Sequence, residues 1–254
     1  MNKILQGLRS NPLLWLLAAV PAVFLGEHFA PESHTTLFVL AVLAIVPLAS
    51  LLSHATESVA AKTGDAVGGL LNATLGNLTE LVIAITALRA GMFDLVKASI
   101  AGAIVTNSLF MLGMAFLLGG LKYRVQEYNA GTARLQAGML FLAAVALVVP
   151  SAIGGSERPE VAAIVQQLSI GLAVLLLVAY VLGLVFSLKT HKDLFASASA
   201  GEGEGGHGGD EHLWPVKVAV VMLAVITVTV ALVSEIFVES VQYAAASFGM
   251  TPAF

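Results

Sequence analysis

The stretch GDAVGGLLNATLGNLTELVIAITAL, residues 64–88, decides the fold. It is long and apolar enough to cross a bilayer, which takes about 20 residues of helix, yet it carries Asn72, Asn77 and Glu80 in mid-run. A carboxylate near the bilayer centre is costly and marks a functional site by default. At about 100° per residue, Asn72, Gly76, Asn77 and Glu80 fall within about 140° of one another if the run is one helix, which gives a single polar face. Gly68, Gly69 and Gly76 beside that face have two readings: close approach by a neighbouring helix, or local unwinding that offers carbonyl oxygens to an ion. Amide, carboxylate and carbonyl oxygens together suit hard cations such as Ca²⁺. The triplets starting at Asn72 and Asn77 match the glycosylation pattern, but acceptors inside a span are out of reach of the modifying enzyme. Helix packing would explain the asparagines alone; it does not explain a mid-membrane glutamate on the same face.

The rest of the chain agrees. Of its 254 residues 58% are hydrophobic and 11% charged, with a mean hydropathy of +0.91. Soluble domains average about 45–50% and about 25%, so a water-soluble globule is excluded. The apolar runs are continuous rather than alternating, which argues against a β-barrel. No cysteine is present, so disulfides and thiolate metal sites are excluded. Seven apolar runs, near residues 12–30, 36–60, 66–90, 97–120, 132–151, 161–188 and 214–247, predict an all-α polytopic membrane protein with about seven transmembrane helices. The first run, behind Lys3 and Arg9, also has the look of a signal peptide; it is read here as a first helix.

One connection is long. Residues 191–212, HKDLFASASAGEGEGGHGGDEH, are small, acidic and histidine-bearing. Such a tract has too little apolar surface to pack, and cytoplasmic cation or proton sensing is its sharper reading. With the N-terminus in the cytoplasm, nine lysines and arginines lie on that side (Lys3, Arg9, Lys62, Lys122, Arg124, Arg134, Lys189, Lys192, Lys217) and three on the other (Arg89, Lys97, Arg158). This satisfies the positive-inside rule and puts the acidic linker in the cytoplasm.

Further polar residues interrupt the apolar runs. Glu57, Glu235 and Glu239 are secondary or gating candidates, with an interfacial position as the plainer reading; Glu235 and Glu239, four apart, share a helix face. Thr106, Asn107 and Ser108 break the fourth run and either complete an oxygen site or hydrogen-bond across helices. His54 is read as a packing residue. No nucleotide loop, zincin helix or nucleophile elbow is present, and no basic patch, so neither an enzyme, a resident cofactor nor a nucleic-acid partner is expected.

Residues 68–85, GGLLNATLGNLTELVIAI, resemble the first signature repeat of the CAX-type cation/proton antiporters, whose best-known members exchange Ca²⁺ for H⁺. Residues 101–120 are similar to that family's next helix, 187–195 to its entry into a central acidic region, and 231–250 to the helix opening its second half. The resemblance implies an eleven-helix fold: a peripheral helix (1–34), a first five-helix repeat (35–189), a linker (190–213), and from 214 the first helix of an inverted second repeat around a midplane cation site. The family's cation-binding GNxxE glutamate maps onto Glu80 and its asparagine onto Asn77. Asn107 and Ser108 match positions of the adjoining helix that also supply polar groups. With Gly76 and Asn72 these form the expected metal set, Ca²⁺ being transported substrate rather than cofactor. The second signature repeat is not in the sequence, which implies a chain cut short before helices eight to eleven. Exchange of Ca²⁺ or a similar divalent cation for H⁺ across a bacterial inner membrane is the resulting expectation. A non-transporting half-transporter fragment or subunit and a related Na⁺- or Mn²⁺-using exchanger are its rivals. Alone, the chain is expected to insert without transporting, because its lysine and arginine bias fixes one orientation and denies it an inverted partner.

Overall fold

The computed structural model describes residues 12–63, 65–154, 159–190 and 213–250. Among these there is no strand. A 3-10 segment, Pro12–Ala18, leads into α1 (Ala19–Phe29); α2 (His34–Ala60), α3 (Asp65–Leu75), α4 (Leu78–Arg89) and α5 (Phe93–Val105) follow. A π-helical segment, Thr106–Met111, joins α5 to α6 (Leu112–Lys122). Then come α7 (Ala130–Ile153), α8 (Pro159–Val185) with a second π-helical segment, Phe186–Thr190, and α9 (Val216–Ser247). The described residues form two units, 12–98 with 213–250, and 99–190.

Five helical stretches are long and apolar enough to cross a membrane: His34–Ala60, Phe93–Lys122, Ala130–Ile153, Val161–Thr190 and Val216–Ser247. The other two expected spans differ from a simple rod. The first run holds only a short apolar helix, Leu13–Phe29, that opens in 3-10 geometry. The third run is two helices of 11 and 12 residues, separated at Gly76 and Asn77.

The first unit is organised by α2 and α9, which run antiparallel. At one end the rings of His34 and Tyr243 stack at 4.0 Å; further in, Phe38 and Phe237 stack at 5.5 Å; at the other end His54 meets Trp214 edge-on at 4.8 Å. At 1.5 Å rise per residue, 27-residue α2 is about 40 Å long, enough to span. The seam is made of small and β-branched side chains: Ala41, Ala44 and Ala55 on α2, Val230, Val233 and Ser234 on α9, all fully buried. Lipid is as apolar as leucine, so helices in a membrane associate through close packing, which small residues permit. Leu78 and Val82 of α4 pack against this core. Ala84, Ala87 and Met92 form a second cluster with Phe237 and Val238. Helix α4 therefore runs parallel to α9.

In the second unit α7 packs on α8, where the sulfur of Met139 meets Gly183. Asn129 caps α7, its side-chain oxygen accepting from the amides of Gly131 (3.0 Å) and Thr132 (3.1 Å). Large apolar side chains such as Phe141, Leu177 and Leu182 stand exposed along these helices. In a bilayer that is the ordinary state, since the solvent is hydrocarbon.

Candidate cation site at the broken third helix

Over residues 66–90 the chain forms two helices, the unwinding that is one of the two readings of the glycines, and the physical reason lies in two residues. Glycine is about 1 kcal/mol worse than alanine inside a helix. At Gly76 a Cβ would stand 2.6 Å from the carbonyl oxygen of Asn72, so no other residue fits without a shift. Asn77 follows at φ −107°, ψ 25° and occupies the N-cap position of α4. The last bond of α3 runs from the Gly76 amide to the Asn72 carbonyl (2.9 Å), and the first of α4 from the Leu81 amide to the Asn77 carbonyl (3.1 Å). The carbonyls of Thr74, Leu75 and Gly76 and the amides of Leu78, Thr79 and Glu80 thus fall outside both ladders.

Both readings of the glycines are realised, at different positions. Gly76 lets the chain unwind. Gly68 permits close approach: a Cβ there would collide with the carbonyl oxygen of Ala60, where α2 ends.

Four of the expected ligands lie at the break or within about one helical turn of it. Asn72, Gly76, Asn77 and Glu80 are all exposed around it. Glu80 lies in the first turn of α4, where the positive end of the helix dipole favours a carboxylate. The carbonyl end of α3 has the opposite polarity and suits a cation. Asn77 makes no side-chain capping bond; its amide oxygen is not spent on α4. Thr74 is spent, its hydroxyl donating to the Leu70 carbonyl at 2.7 Å. The parallel alignment of α4 and α9 fixes the depth. Ala90 and Met92 line one cavity with Val238, Glu239 and Tyr243 near the end of α9. Ten residues back along α4, about 15 Å, Glu80 lies level with the middle of α9.

The remaining candidates lie on other elements. Asn107 and Ser108 sit in the π-helical segment of the second unit, where the Ser108 hydroxyl donates to the Ile104 carbonyl at 2.6 Å. π-Bulges are frequent at functional sites. Glu57 is half-buried near the end of α2, and Glu235 and Glu239 are exposed on α9. Glu239 lines the cavity of about 490 Å³ together with Glu27 and His34. Among the described residues no three His, Asp or Glu side chains lie close enough to share a metal ion. The histidines of the linker lie outside the described residues. His54 packs against Trp214, as expected of it. Beside it is a contact that sequence spacing did not signal: the Ser58 hydroxyl donates to the His54 carbonyl (2.8 Å) and accepts from the Trp214 amide (3.1 Å).

Comparison with known proteins bears on this geometry. A sequence model described as sodium/calcium exchanger protein matches residues 33–189. The Ca(2+)/H(+) antiporter of Synechocystis is 38% identical over 259 residues, covering 97% of this chain and 68% of that protein. The one from Aphanothece halophytica is 38% identical over 94% of this chain and 66% of its own length. The Ca(2+)/H(+) antiporter ChaA of Bacillus subtilis is 35% identical over 96% and 68%. The solved structure of native YfkE superposes with a TM-score of 0.72 at 32% identity, over 95% of this chain and 65% of that one. The chain spans about two thirds of the length of these relatives. With more than half of its residues matched by the family model and nearly all of its length aligned with these antiporters at 35–38% identity, the chain belongs to the sodium/calcium exchanger protein family.

Proposed function

We propose that the protein exchanges Ca²⁺, or a similar divalent cation, for H⁺ across a membrane, with Glu80 as the carboxylate that both ions use. The observation that carries this reading is the break of the third helix at Gly76–Asn77, which sets Glu80 in the first turn of α4 beside the free carbonyl end of α3. The names of the relatives, Ca(2+)/H(+) antiporters, support it.

The chemistry is exclusion at one charge. An ionised Glu80, with the amide oxygen of Asn77, the side chain of Asn72 and the loose carbonyls near Gly76, offers the all-oxygen environment a hard cation prefers. Protonation neutralises the same carboxylate and removes the reason for the cation to stay. If only the occupied states change access, the two fluxes are coupled. Asn107 and Ser108, which the family resemblance adds to the expected set, lie on the second unit. Glu57, Glu235 and Glu239 act outside this first set of ligands. Ca²⁺ is substrate, and no resident cofactor is assigned. The lysine and arginine count places the N-terminus and the acidic linker in the cytoplasm, and the bacterial relatives favour an inner membrane.

Glu80→Gln keeps size and hydrogen-bonding capacity while removing the charge. Because the chain alone is expected to insert without transporting, the test uses membrane vesicles from cells expressing it joined to a second repeat: the unsubstituted form should take up Ca²⁺ when a pH gradient is imposed, and Glu80→Gln should lose this by at least about tenfold. Uptake by Glu80→Gln at the wild-type rate, in vesicles with equal protein, overturns the assignment.

A further inference from the structure

Thr56 is fully buried, and its hydroxyl has no hydrogen-bond partner among the described residues. This is unusual within the chain itself. In membrane helices a serine or threonine hydroxyl normally donates back to the carbonyl four residues earlier. Here Ser58 does so to His54 (2.8 Å), Thr86 to Val82 (3.0 Å), Thr227 to Leu223 (2.6 Å) and Ser234 to Val230 (2.6 Å). The same solution is open to Thr56 through the Leu52 carbonyl, and Thr56 does not take it. A buried unsatisfied hydroxyl is expensive, and such groups mark strain or a function.

Its place in the fold suggests the missing partner. Helices α2 and α3 are consecutive, and the backbone of Ala60 stands directly against Gly68. One helical turn back from Ala60 on α2 is Thr56. One turn onward from Gly68 on α3 is Asn72, exposed and at the start of the helix break. We infer that Thr56 is a positioning residue for the cation site: its hydroxyl, unpaired in the state seen here, pairs with the Asn72 side chain in a second state, in which α3 has rolled on α2 about the Gly68 contact. In that state Asn72 is drawn from the site toward α2, so the oxygen set around Glu80 differs between the two. The hydroxyl then biases the equilibrium, since it is satisfied in one state only. The coupling to transport rests on the exchange function proposed above; the approach of the two residues does not.

Both parts can be tested separately, because the chain has no native cysteine. In the otherwise unaltered protein, Thr56→Cys with Asn72→Cys should form a disulfide under mild oxidation, which requires the two Cα atoms to come within about 7 Å, and the yield should change when Ca²⁺ is added. Absence of that cross-link in every condition, while Asn72→Cys alone still reacts with maleimide, overturns the inference whatever the transported ion. In vesicles, Thr56→Val should slow exchange by roughly tenfold by favouring the state seen here, with the KM for Ca²⁺ changed less than the maximal rate, and Thr56→Ser should restore it. Wild-type exchange by Thr56→Val overturns the coupling. If the wild-type form carrying the second repeat shows no Ca²⁺/H⁺ exchange, the functional reading fails and the cross-link decides the geometry alone.

Discussion

Replacing Gly68 by alanine should destabilise the protein, against the usual effect of that change in a helix. The added Cβ would lie well under 3.0 Å from the Ala60 carbonyl oxygen, with the carbonyl carbon at 3.1 Å and the Cα at 3.5 Å, so the obstacle is backbone and not a side chain that can swing away. That oxygen is itself held in place. It accepts from the Thr63 amide at 3.1 Å and from the Thr63 hydroxyl at 3.0 Å. Relief therefore needs α3 to back off, an overpacking cost of about 1–3 kcal/mol, or the carbonyl to turn and weaken two hydrogen bonds worth about 1 kcal/mol each. The better helix propensity of alanine returns about 1 kcal/mol. The net expectation is a loss of about 1–2 kcal/mol. Gly138 in α7 is the internal control: a Cβ there meets nothing within 4 Å, so Gly138→Ala should gain about 0.5–1 kcal/mol. Equilibrium unfolding in mixed detergent micelles, followed by circular dichroism, compares the two. Opposite signs support the close approach of α3 to α2; a Gly68→Ala protein stabilised as much as Gly138→Ala refutes it.

Three other outcomes follow from the packing and the chain order. Ser58→Ala removes the acceptor of the Trp214 amide, a cost of about 1–2 kcal/mol, and should alter the Trp214 environment; tryptophan emission unchanged in a Trp15→Phe background would contradict the contact. Val230→Ala, at a fully buried position facing α2, should cost about 1–3 kcal/mol in the same unfolding assay, whereas Val228→Ala on the exposed side should cost less than about 0.5 kcal/mol. Deleting residues 202–210 of the acidic linker should change the Ca²⁺ dependence of exchange in vesicles yet leave exchange measurable; a correctly inserted deletion variant with none would place essential groups in the linker.

The spans were legible in the sequence because the bilayer imposes one strong rule, a run of about 20 apolar residues closed by polar punctuation. His34–Ala60 and Val216–Ser247 match the second and seventh runs closely. Glu80 stood out for the same reason in reverse, as a charge where lipid should exclude one. The break beside it was harder to see. Residues on both sides of Gly76 and Asn77 continue the apolar run, and a glycine followed by an asparagine reads equally as a packing notch or as a helix end. Only position separates the roles: Gly68 stands against the backbone of Ala60, while Gly76 crowds its own Asn72 carbonyl. Thr56 carries no sequence signal at all, since it reads like Ser58 or Ser234, and its isolation depends on side-chain packing. The stacking of His34 on Tyr243 joins residues 209 positions apart, beyond the reach of local spacing.

The division of labour between the helices explains why an exposed, broken element is tolerated. Burial in the first unit is concentrated on α2 and α9, whose fully buried residues run from Ala41 and Ala44 to Val230 and Val233. Among the described side chains of α3, by contrast, Gly68 alone is buried. A half-helix with little buried surface and unpaired carbonyls at its end belongs to the low-stability end of a structure, from which moving elements are drawn. An ion carrier requires this: a site rigid throughout would bind the cation and keep it, and a frame loose throughout would let protons through without coupling. The two sets of substitutions should therefore separate. Changes in the α2–α9 seam should move unfolding energies and leave the ion dependence of exchange intact. Changes at Asn72, Gly76 and Asn77 should move exchange more than they move stability, because α3 contributes little of the buried packing that unfolding must undo.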